Sequence, residues 1–136
     1  MKVMSIDLGD VRTGVAVSDV TGFLAGRSVS ITQRDRDKLL EEIMTLIEKE
    51  KPGEIVLGLP INMDGTEGPR AEKSRAFGDK LHEACGLPIK YMDERGSSIS
   101  ANRILSDAGK KKGKQRAQVD AVAAAIILQN YLDSKR

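Results

Sequence analysis

Residues 2–18 read KVMSIDLGDVRTGVAVS, and the architecture follows from them. Lys2–Leu8 is the near-continuous apolar run of a buried strand, and Gly9 ends it. Asp10-Val11-Arg12 forms a tight turn, and Thr13–Ser18 returns as a second strand hairpinned to the first. Phe23–Ile31, with Ser alternating against aliphatic residues, reads as a third antiparallel strand. A 3.6-residue period then takes over. Leu39, Leu40, Ile43, Met44, Leu46 and Ile47 make one apolar stripe, with Asp37 as the expected N-cap and Pro52-Gly53 as the stop.

Glu54–Leu59 is a fourth strand, closed by Pro60 and the turn-forming Asp64-Gly65. A second helix is expected from Pro69 to Ala84, a fifth strand at Pro88–Met92, and further helices at Ser98–Ala108 and Arg116–Leu132. A meander followed by βα units implies an α/β fold, with a five-stranded mixed sheet and helices on both faces. No repeat or linker interrupts it, so residues 1–136 are expected to form one domain. In such sheets ligands collect outside the carboxyl ends of the strands.

Composition removes several functional classes. No apolar run approaches the ~20 residues that span a bilayer. Met1 leads straight into a strand, unlike a signal or transit peptide. The lone Cys85 fits a cytoplasmic protein and excludes a thiol-rich zinc site. With no Trp, two Phe and two Tyr, the chain has no aromatic platform for stacking single-stranded bases. The net charge of +2, from 22 basic and 20 acidic residues, looks neutral toward nucleic acid. The charges are segregated, however. Lys110, Lys111, Lys112, Lys114 and Arg116 form a basic segment without an acid, and the remainder is net acidic. By itself such a run is a solvated loop as readily as a phosphate-contacting one. Arg116 begins the helix that carries Asp120, and that adjacency favours phosphate contact.

Three acids stand where the topology brings strand ends together. Asp7 closes the first strand, Glu94 follows the fifth within Asp93-Glu94-Arg95, and Asp120 lies one turn into the last helix. Each has an ordinary reading alone: a turn cap, a helix cap, or an acid at a helix N-terminus. The Ala-rich stretch after Asp120 lets that helix lie close to the sheet, carrying Asp120 toward the strand tips. Together the carboxylates would repel one another unless a cation intervened. Mg²⁺ or Mn²⁺ suits oxygen ligands and leaves positions for water and phosphate. Two such ions about 4 Å apart can activate a water and stabilise the leaving oxygen in phosphodiester cleavage. The chemistry needs no His, and His82 reads as structural or solvent-facing.

Four segments resemble the motifs of the YqgF family, also called RuvX: Asp7–Asp19 (DLGDVRTGVAVSD), Val56–Gly68 (VLGLPINMDGTEG), Asp93–Arg95 (DER) and Val119–Gln129 (VDAVAAAIILQ). They occur in order across nearly the whole chain. The resemblance implies an RNase H-like fold and metal-dependent nuclease chemistry at Asp7, Glu94 and Asp120. Arg12 and Arg95 match motif arginines that contact phosphate or orient the acids. It further implies maturation of the 5′ end of precursor 16S ribosomal RNA, or resolution of four-way DNA junctions. The latter requires two sites in a symmetric dimer. The chain departs from the family pattern at Gly96, where Leu is usual, and at Ser100, where Glu is common. The fourth strand, expected beside the first, ends in Gly58-Leu59-Pro60 without the acid that RNase H-like nucleases often carry there.

The expectation is therefore a metal-dependent endonuclease on structured RNA, monomeric or paired through exposed Met, Phe and Leu near the third strand. One alternative is a non-catalytic nucleic-acid-binding factor in ribosome assembly. Another rests on Asp-x-Gly-x-x-x-x-Gly alone, which also opens the phosphate hairpin of actin-like ATPases and sugar kinases. Those enzymes bind nucleotide between two such domains, and this chain supplies one.

Overall fold

In the computed structural model the described residues are 1–93 and 114–135, with side chains in the last helix described from residue 121 onward. Among them are five strands and three helices: β1 (Val3–Asp7), β2 (Arg12–Ser18), β3 (Ala25–Thr32), α1 (Arg36–Glu50), β4 (Glu54–Leu59), α2 (Pro69–Cys85), β5 (Ile89–Asp93) and α3 (Lys114–Ser134). The helix expected at Ser98–Ala108 lies outside the described residues.

The strands form one mixed sheet in the order β3-β2-β1-β4-β5. β1 pairs antiparallel with β2 and parallel with β4, so the opening strand is central, and each of its five residues is buried. Side-chain alternation divides the core into two layers. Met4, Ile6, Val15, Val17, Ile55 and Leu57 face α1 and α2, where they meet Leu39, Ile43, Phe77 and Leu81. Val3, Ala16 and Val56 face α3 and meet Ala123, Ala124, Ile127, Leu128 and Leu132. Each large aliphatic side chain buried in this way contributes about 1.5–3 kcal/mol.

Small residues let α3 sit close on its face. Ser5, fully buried, donates its hydroxyl to the Ala124 carbonyl at 2.7 Å. Further along, the Gln129 side chain accepts from the Ala25 amide at 2.9 Å and donates to the Phe23 carbonyl at 3.2 Å. The buried Glu54 accepts from Tyr131 at 3.1 Å and pairs with Lys135. Burial, and then this contact with Glu54, raises the Tyr131 phenol above its ordinary value.

Element boundaries differ from expectation where side chains compete for the backbone. Asp35, not Asp37, caps α1: its carboxylate accepts from the amides of Asp37 at 2.9 Å and Lys38 at 3.2 Å. β3 begins at Ala25 because Asp19 gathers the preceding residues into a turn. Its Oδ1 accepts from Thr21 Oγ1 at 2.7 Å and from the Gly22 amide at 2.9 Å. The Thr21 hydroxyl holds the Asp19 carboxyl below its ordinary range. Phe23 and Leu24 are left more than half exposed by this turn. Helix α3 begins at Lys114, so Lys114 and Arg116 belong to its first turn rather than to a loop. His82 donates from Nδ1 to the Leu87 carbonyl at 2.7 Å at the end of α2, the structural part expected of it.

Candidate active site

Asp7 is the last residue of the central strand, and only 4% of it is exposed. It belongs to the face covered by α3, with Val3 and Ser5. Its cross-strand partner on β2 is Gly14, and the register on the other side brings it level with Gly58 of β4. Neither neighbour has a side chain, so the sheet crowds the Asp7 carboxylate from neither flank. The same row continues across Gly14 to Ser30 of β3, whose buried hydroxyl has no hydrogen-bond partner among the described residues.

Helix α3 runs antiparallel to β1. Its C-terminal Leu132 and Lys135 border the same hollow as Met1 and Val3, while Ala124 is bonded to Ser5. From Ser5 to Asp7 is about 6.7 Å along a strand. From Ala124 back to Asp120 is one helical turn, about 6 Å. The backbone of Asp120 therefore comes level with Asp7 at the carboxyl edge of the sheet.

Asp93 ends β5, two strands from β1. It pairs with Leu59 and shares the face of Tyr91 and Leu57, the face of α1 and α2, opposite to that of Asp7. Arg12, half-buried, opens β2 opposite Thr32. Lys114 and Arg116 lie in the first turn of α3. Glu94, Arg95, Lys110, Lys111 and Lys112 lie outside the described residues. Among the described residues no three His, Cys, Asp or Glu side chains are grouped closely enough to hold a metal ion.

These features match a known family. A model described as "RuvX: Holliday junction resolvase" matches residues 1–134. The chain belongs to the RuvX family. Among RuvX relatives, a protein of Halothermothrix orenii named "Putative pre-16S rRNA nuclease" is 44% identical over 133 residues, 98% of this chain and 95% of the relative. A Streptococcus thermophilus protein of the same name is 40% identical over 136 residues, 98% of each. RuvC of Thermus thermophilus is similar in structure, with a TM-score of 0.63 at 12% identity, over 99% of this chain and 96% of that one. The Fowlpox virus resolvase, solved with Holliday junction DNA, gives 0.60 at 12% identity over 99% of both chains. At these identities the likeness establishes the fold, which is RNase H-like, as the RuvX motifs implied.

Several polar residues at this edge carried no signal in the motif reading. Ser5 ties α3 to the strand of Asp7, yet appears in sequence as one small residue in an apolar run. Arg36 donates to the Gly9 carbonyl at 2.9 Å and lies 3.7 Å from Asp10. Lys73 approaches Asp10 from α2 at 3.9 Å. A sequence signal for these cations did exist: basic residues open α1 and α2, where the helix dipole disfavours them.

Proposed function

We propose that this chain is a Mg²⁺- or Mn²⁺-dependent endonuclease that hydrolyses phosphodiester bonds in structured RNA, acting in the cytoplasm on the 5′ end of precursor 16S ribosomal RNA. The observation that carries the reading is the buried Asp7 carboxylate at the carboxyl end of the central strand, level with the backbone of Asp120. Its glycine flanks, Gly14 and Gly58, leave room for a ligand beside it. The names of the RuvX relatives support the substrate class.

The donor set suits a hard cation. Asp7, Glu94 and Asp120 supply only carboxylate oxygens, and the Ser30 hydroxyl in the row of Asp7, without a partner among the described residues, fits a polar occupant on this face. Asp93, the last residue of β5, lies on the face opposite to Asp7, so Glu94 rather than Asp93 is the proposed contributor. When bound, such ions activate water and offset the charge gathering on phosphate. The carboxylates of Asp7, Glu94 and Asp120 fix the position of that charge against the scissile group. Arg12 and Arg95 hold phosphate oxygens by planar, charge-assisted bonds. Lys110, Lys111, Lys112, Lys114 and Arg116 grip the nucleic-acid backbone.

Resolution of branched DNA is the same chemistry on another substrate, and the description of the matching family model favours it as the second reading. It requires two copies acting as a symmetric pair. Incubating the protein with precursor ribosomal RNA and with a four-way DNA junction, with and without Mn²⁺, separates the two. Metal-dependent cleavage confined to the RNA supports the first reading, and cleavage confined to the junction overturns it. Salt-sensitive RNA binding without any metal-dependent product would instead mark a non-catalytic assembly factor.

A further inference from the structure

Beside the Asp7 edge, on the face opposite to α3, Arg36, Arg70 and Lys73 border one hollow with Leu8, Asp10 and Pro60. Leu8 and Pro60 directly follow the ends of β1 and β4, so this hollow adjoins the strand tips. The three cations come from two elements. Arg36 is the first residue of α1, Arg70 the second of α2, and Lys73 lies one turn further on. The positive ends of the helices disfavour the cations in their first turns, Arg36 and Arg70, by about 0.3–1 kcal/mol each.

Pairing among the described residues does not account for them. Arg36 and Lys73 share the carboxylate of Asp10 at 3.7 and 3.9 Å, well beyond the ~2.7–2.9 Å of a charge-assisted hydrogen bond. Asp10 itself is exposed over 70% of its side chain. Arg36 is the most fixed of the group: its side chain is 29% exposed, and its guanidinium is tied to the Gly9 carbonyl, two residues after Asp7. Three cations around one loosely held acid, above two helix N-termini, make a surface suited to a polyanion.

We propose that Arg36, Arg70 and Lys73 form a second phosphate-binding surface, which holds the substrate backbone on the α1/α2 side of the sheet edge. This rests on the nuclease reading and extends it: the strand being cut crosses the carboxyl edge with Asp7 between two cationic walls. The other wall is the first turn of α3, which carries Lys114 and Arg116. Asp10 moderates the new surface by partly neutralising it.

The test measures binding of a labelled RNA hairpin in EDTA, across a salt series, for four proteins: wild type, Arg70→Ala/Lys73→Ala, the control Lys49→Ala/Lys80→Ala, and Asp10→Asn. The control removes the same charge from exposed positions away from the hollow. Loss of two phosphate contacts lowers the slope of log K against log salt by about 1.4–1.8. The Arg70/Lys73 protein should show this, with binding about tenfold weaker or more at low salt. The control should keep the wild-type slope. Asp10→Asn should bind several-fold tighter, a gain that no folding defect produces. Equal losses in the two double variants, or unchanged affinity in Asp10→Asn, would overturn the surface while leaving the nuclease reading in place. Absence of salt-sensitive binding by the wild-type protein would overturn both.

Discussion

Replacing Ala124 by Leu should damage this protein far more than an enlargement at an exposed position of the same helix. Ala124 is fully buried between α3 and the sheet, among Val3, Ala16 and Val56, and its carbonyl receives the Ser5 hydroxyl at 2.7 Å. The added side-chain carbons have no space, so the helix must move outward or the layer must adopt poor rotamers. Overpacking costs about 1–3 kcal/mol. Outward movement also breaks the Ser5 hydrogen bond, worth about 0.5–1.5 kcal/mol. The sum is about 2–4 kcal/mol, and for a chain of this size that lowers Tm by roughly 6–14 °C. Val122→Leu, on the same helix but at a residue 53% exposed, should stay within about 0.5 kcal/mol of wild type. Denaturant unfolding followed by circular dichroism measures both. Activity should fall further than stability in Ala124→Leu, because Asp120 lies one turn from the displaced residue and a misplacement of ~1 Å can cost about a hundredfold. Equal stabilities for the two variants would refute the close seating of α3 on β1.

Other expectations follow from named contacts. Asp35→Ala should cost about 1 kcal/mol through the lost α1 cap, and Asp37→Ala distinctly less, as thermal unfolding of the two will show. Gly78 packs its α-carbon against the phenol oxygen of Tyr91. Gly78→Ala should therefore destabilise the wild type and do less harm in a Tyr91→Phe background, a coupling read by a double-mutant cycle. Glu50 is held below its ordinary value of 4.5, first by its hydrogen bond from Lys2 and then by Lys2 and Arg27 charge. A depressed carboxylate stabilises the fold above its unfolded pKa and loses that contribution as pH falls through the folded value. Stability should thus decline below about pH 4.5, and Glu50→Gln should make the decline shallower.

The sheet was legible because β1, β2 and β4 are apolar runs between turn residues, and a meander followed by βα units admits few strand orders. Boundaries failed where a side chain bonded backbone groups that propensity cannot see: Asp35 before α1 and Asp19 before β3. In the site, Asp7 and the level of Asp120 were readable, one from a strand end and the other from the alanines that let α3 approach. The basic run 110–116 was visible as a block, although its last residues are helical. Arg36, Arg70 and Lys73 were not visible as a group. They are separated along the chain, interspersed with acids, and converge only because β1 and β4 are neighbours.

The central claim is that the Asp7 carboxylate serves metal-dependent cleavage rather than the fold. Single-turnover cleavage of precursor ribosomal RNA in Mn²⁺, by wild type and by Asp7→Asn with matched unfolding midpoints, tests it most directly. Losing a carboxylate worth several kcal/mol to charge stabilisation predicts a fall on the order of a thousandfold with the fold intact. Cleavage by Asp7→Asn at the wild-type rate would contradict the account.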